Sequence, residues 1–133
     1  MTTNVLPRRR DVVLAGRITA FLGALHLVLT LAFNLQYLPA WFTGRLWFPA
    51  NGLNELPPDV GAFWLTIGSF GLPLLLLGLL IGWLGRRDVT PPAFLAWTLG
   101  AWGTILALLF EPSPAILLWV PAVMLLVAAR RQA

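Results

Sequence analysis

The chain has 133 residues, 59% of them hydrophobic and 11% charged, with nine arginines, no lysine and a net charge of +4. Soluble domains carry about 45–50% apolar and about 25% charged residues, so this composition excludes an ordinary water-soluble domain. The absence of cysteine excludes disulfides, thiolate chemistry and Cys-zinc sites.

Four apolar runs predict an all-α fold, an integral membrane four-helix bundle forming a single domain over residues 1–133. The helices are expected at about 11–34, 58–84, 91–110 and 113–129. The first run follows Arg8-Arg9-Arg10 but exceeds the roughly 7–15 apolar residues of a signal core, and no A-x-A-like site follows, so it reads as a retained helix. Its edge Gly16, Ala20 and Gly23 permits close contact with another helix, or with a second copy of the chain. Residues 35–57 form a long outer loop, rich in aromatic residues around Arg45. It reads either as an aromatic belt in the headgroup region or as a lid built from Trp41, Trp47, Asn51, Asn54 and Glu55.

Pro57-Pro58-Asp59 opens the second helix, with an acid suited to the positive helix end and Pro73 expected to kink the interior. The short turn Gly85-Arg86-Arg87-Asp88-Val89 predicts that the second and third helices are antiparallel neighbours. Thr90-Pro91 and Ser113-Pro114 open the third and fourth helices, and Pro121 predicts a second kink. Arg8, Arg9, Arg10, Arg17, Arg86, Arg87, Arg130 and Arg131 gather on one side and only Arg45 on the other. The positive-inside rule then places both termini in the cytoplasm, with the chain in the bacterial inner membrane. The same distribution makes nucleic acid a poor partner and the bilayer the expected one.

His26, the only histidine, lies in the first apolar run. An ionisable side chain there is costly and marks a functional site, unless it merely bonds a neighbouring helix. At about 100° per residue, Thr19, His26, Thr30 and Asn34 share one helix face. Asp59 and Thr66 share a second, with Ser69 at its edge; Trp97, Thr104 and Glu111 share a third. His26, Thr66 and Thr104 fall at a common depth, about 10–12 Å below the outer helix ends. Convergence of the three faces would make an outward pocket with apolar walls, holding a lipophilic small molecule such as a lipid or isoprenoid. The plainer alternative has the hydroxyls bonding back to their own helices, with Glu111, Asp59 and Glu55 solvated. A catalytic alternative is a membrane-embedded isomerase or cyclase, with Glu111 as proton donor and His26 as base or relay. A third is a structural, oligomerising bundle. One histidine without cysteine points to no metal and no haem, and no nucleotide-binding pattern calls for a cofactor.

Gly23-x-x-His26, Phe63-Trp64-x-x-x-Gly68 and the Leu74–Leu77-Gly78 run resemble small uncharacterised bacterial four-helix membrane proteins in the neighbourhood of the DoxX-like group. The likeness covers residues 15–85 and implies a fold, with no activity to transfer. A more distant similarity, in mode of chemistry alone, is to emopamil-binding/EXPERA proteins. Their membrane cavities hold sterols, and the isomerases among them use buried acid and histidine side chains; His26 and Glu111 would take those parts here.

Overall fold

The computed structural model describes residues 5–47, 55–109 and 114–131. Among the described residues the fold is all-α, with no strand. The helices are α1 (Val5–Phe33), α2 (Leu38–Trp41), α3 (Pro58–Leu65), α4 (Gly71–Arg86), α5 (Ala93–Leu109) and α6 (Trp119–Arg130). Short 3-10 turns, Leu35–Tyr37 and Pro114–Leu118, lead into α2 and α6.

Helix α1 starts at Val5, six residues earlier than expected. Pro7 lies in its first turn, where backbone N–H groups have no intrahelical acceptor, so proline removes nothing there. The other boundary corrections also trace to proline. The second predicted helix is not one kinked rod: α3 stops at Leu65 and α4 begins at Gly71. Pro73 therefore sits in the first turn of α4, because its ring would clash with the Ser69 carbonyl in an uninterrupted helix. Pro121 behaves alike, at the third position of α6 behind a 3-10 turn instead of at an interior kink. Helix α5 begins at Ala93, after Pro92 has disfavoured a helical conformation at Pro91. Helix α4 ends in a Schellman closure, with Val89 N–H on the Leu84 carbonyl, Asp88 N–H on Gly85 and Asp88 at φ 60°.

Helix α1 is central, with α4 packed closely along one side, α6 on another, and α5 on α6. The expected close pairing of the second and third helices is replaced by this order, although Phe70 and Trp102 bring α4 and α5 together, ring centroids 5.4 Å apart. The α1–α4 seam explains the preference. Its glycines face backbone: a Cβ on Gly78 would stand 2.1 Å from Ala20 N, and one on Gly16 would stand 2.3 Å from Gly82 N. The small-residue edge of α1 is thus filled by α4 of the same chain and is not free for a second copy. The core beside it comprises Val12, Ala15, Leu74, Ile81, Ala96, Leu99, Leu118, Ala122, Leu125 and Ala128. Helix α1, over Arg9–Phe33, is long and apolar enough to cross a membrane, whereas Gly71–Arg86, Ala93–Leu109 and Pro114–Arg130 are shorter apolar helices.

Candidate functional site

The break between α3 and α4 supplies the polar partner of His26. At the end of α3, Thr66 leaves the helical region (φ −106°, ψ −99°), and Gly68 N–H reaches five residues back to the Phe63 carbonyl. Such π-type closures recur at functional sites. Ser69, inside the break, lies 3.2 Å from His26 Nε2. The serine hydroxyl donates its single hydrogen to the Thr66 carbonyl and also accepts from Gly71 N–H. With that hydrogen committed, His26 Nε2 must donate to Ser69 Oγ, which fixes the tautomer of the neutral ring. Nδ1 is then an acceptor, and it forms no hydrogen bond among the described residues. The imidazole is exposed, and its Cδ2 edge rests where a Cβ on Gly71 would be, so glycine there admits the ring.

The neighbouring polar groups are satisfied locally. Thr30 Oγ1 donates to the His26 carbonyl at 2.7 Å, and Asn34 Nδ2 to the Thr30 carbonyl at 2.8 Å. Thr66 is fully buried and its hydroxyl returns to Ala62 and Phe63. Thr19 does the same on Ala15. Ser69 connects His26 to the Thr66 backbone carbonyl, not to its hydroxyl. Thr104 is turned to another partner. Thr104 Oγ1 donates to Gly100 and accepts from Trp119 Nε1 at 2.8 Å, while Trp97 stacks edge-on against the same indole, 6.3 Å between centroids. Gly100 offers room for the Trp119 ring, so that face of α5 is turned to α6.

Asp59 is a correction of a different kind. The plainer alternative to a pocket role has it solvated, yet it is 6% exposed, and Arg45 Nε lies 3.2 Å from its Oδ2. That approach is an ion pair without hydrogen-bond alignment, for Oδ2 is buried and accepts no hydrogen bond among the described residues. Trp41 explains the burial. Its Nε1 donates to the Asp59 carbonyl at 2.8 Å, and its ring meets Phe63 edge-on at 5.7 Å. Trp41 therefore clasps α3, while Trp47 and Glu55 are exposed. Asn51, Asn54 and Glu111 lie outside the described residues. Sequence reasoning passed over Trp119 and left Ser69 at the edge of a face. The available signal was Gly68-Ser69 followed by Gly71 and Pro73, a set of helix breakers with one hydroxyl among them. Among the described residues there is no group of three metal-ligating side chains.

A family model matches residues 10–133 of the chain, nearly its whole length, and the chain therefore belongs to a family of unknown function, DUF6463. No curated protein and no solved structure matches it.

Proposed function

We propose that this member of the family is a multi-pass protein of the bacterial inner membrane, with both termini cytoplasmic. It binds the hydroxyl-bearing end of a lipophilic molecule at the His26–Ser69 pair. Support for the membrane begins with α1, whose spanning window is 28% buried, unlike the core helix of a soluble domain. Phe21, Val28, Phe33, Leu108 and Leu109 are all exposed, a surface that suits hydrocarbon. Helix α3, the break and α4 together carry 58–86 across as an interrupted span, the arrangement tolerated where irregular backbone meets protein or ligand. The arginine distribution sets the orientation.

One observation carries the ligand: an exposed imidazole, locked by Ser69 so that Nδ1 accepts, set beside a break in an apolar surface. The break adds a second acceptor, because Pro73 has no N–H to give the Ser69 carbonyl. Acceptors without a donor select a ligand that donates, and a hydroxyl on a hydrocarbon body meets both demands.

The test compares farnesol with its hydroxyl-free hydrocarbon analogue, read as thermal stabilisation of the detergent-solubilised chain. Farnesol is expected to raise the melting temperature of the unaltered chain and not that of His26→Phe; the hydrocarbon should raise neither. Equal stabilisation by both compounds, or retention of the farnesol effect in His26→Phe, would refute the site.

A further inference from the structure

The opposite end of α1 carries a second surface that the His26 site does not use. Arg9, Arg10, Val13, Leu14 and Arg17 of α1 and Arg86 of α4 line an open groove of ≈490 Å³. Among the described residues, Arg9 is engaged: Nη2 donates to the Arg86 carbonyl at 3.1 Å and Nε lies 3.7 Å from Asp88. Arg131 takes Asp11 at 2.8 Å, so both aspartates at this end have arginine partners. The guanidinium groups of Arg10, Arg17 and Arg86 have no ion-pair partner among the described residues. Three uncompensated cations in one groove repel each other and are relieved by an anion. Guanidinium forks suit phosphate oxygens above other acceptors.

The groove continues as a stripe, and this sets the class of anion. Arg10, Leu14, Arg17, Phe21, Leu25 and Val28 fall on one face of α1 at helical spacing. Leu14 and Leu25 are exposed, and Phe21 and Val28 more so, at 62% and 64%. Cations therefore stand at the head of an apolar track that runs eleven residues beyond Arg17, about 16 Å. A soluble phosphate would use only the head. A phospholipid with an anionic headgroup uses both.

We infer that the groove between α1 and α4 is a binding site for an anionic phospholipid, its phosphate held by Arg10, Arg17 and Arg86 and one acyl chain lying along Leu14, Phe21 and Val28. The inference rests on the membrane reading above but not on a ligand at His26. Arg17 is the positioning feature. It sits seven residues deeper than Arg10, about 10 Å, and draws the phosphate toward the acyl track.

The experiment uses the full chain in a neutral detergent, with bound lipid counted by native mass spectrometry during titration with phosphatidylglycerol or phosphatidylcholine. Phosphatidylglycerol should bind more tightly, and Arg10→Gln/Arg17→Gln should lose on the order of 20-fold of that preference, about fivefold for each cation near an anionic headgroup. Arg45→Gln, a charge change at the other end, should lose none. Both replaced arginines are exposed, so an unchanged circular dichroism spectrum is expected and separates a lost site from a lost fold. Equal binding of the two lipids, or full preference in the double variant, overturns the inference. Displacement of phosphatidylglycerol by inorganic phosphate at millimolar concentration also overturns it, reassigning the groove to soluble anions. Alkaline extraction of membranes keeps the two failures apart. If the chain is released, the membrane reading has failed; if it is retained and shows no lipid preference, only the phospholipid site has.

Discussion

A single methyl group at Gly78 should weaken the whole molecule. A Cβ there would lie 2.1 Å from Ala20 N, 2.6 Å from Ala20 Cα and 2.7 Å from the Gly16 carbonyl. These obstacles are backbone, so no side-chain rotation relieves them. Non-bonded heavy atoms settle at about 3.5–4.0 Å, so α1 and α4 must separate by roughly 1.5 Å at this point. Even a gap of about 0.5–1 Å forfeits about a quarter to a half of the dispersion energy of each opened contact. In hydrocarbon, dispersion and close backbone contact drive helix association, with no water to expel. Overpacking of this kind costs about 1–3 kcal/mol, and Gly78→Ala should fall in the upper half of that range because its neighbours cannot yield. Gly61 is the matched control: it lies within α3 and nothing stands within 4 Å of its would-be Cβ. Gly61→Ala should stabilise by about 0.5–1 kcal/mol through the helix preference for alanine over glycine. Unfolding in mild detergent on titration with dodecyl sulfate, followed by far-ultraviolet circular dichroism, measures both. If Gly78→Ala proves as stable as Gly61→Ala, α1 and α4 do not meet as described.

Three smaller predictions use the same assay. Thr104→Val removes the acceptor of the Trp119 indole, and leaving that N–H unpaired should cost about 1–3 kcal/mol. Adding Trp119→Phe, which removes the donor as well, should recover part of that loss, and a double-mutant cycle reads the coupling. Arg45→Ala should destabilise more than Asp59→Asn, since the first leaves a buried carboxylate without its cation and the second removes the charge itself. The opposite order would mean that Asp59 is solvated after all. Asp88→Gly should stabilise by a few tenths to about 1 kcal/mol, because glycine holds a left-handed φ freely and the exposed ion pair with Arg9 contributes little.

The helical content was legible because it depends on apolar run length and on proline, both local. The helix order was not. A short turn after Arg86 argued for α4 beside α5, yet α4 lies along α1 because glycine and alanine fall every three to four residues on both facing edges. The notation Gly16, Ala20, Gly23 showed that a close partner existed, and the matching Gly71, Gly78 and Gly82 were equally visible in α4. Pairing them needed only the recognition that two small-residue edges on one chain satisfy each other before a second copy can. Proline acts in the same local way: Pro73 and Pro121 suggest kinks at their own positions, whereas the helix yields one turn earlier, at the carbonyl each ring would strike.

That displacement also explains why the candidate site was half legible. A face drawn through Asp59 and Thr66 with Ser69 at its edge assumes continuous 100° steps, and the break at 66–70 resets the phase. Ser69, placed at the edge of a regular helix, becomes the residue that meets His26 once the helix is interrupted. The threonine hydroxyls of these faces are self-satisfied: Thr19, Thr30, Thr66 and Thr104 each donate to a carbonyl of their own helix, as threonine does in apolar surroundings. A threonine in an apolar helix is therefore a weak sign of a site. A serine in a proline-forced break, its hydrogen already given to the backbone, is a stronger one, because its remaining lone pair must draw a donor from another helix. In this chain that donor is His26, and in the uncharged imidazole a proton held on Nε2 leaves Nδ1 as the acceptor.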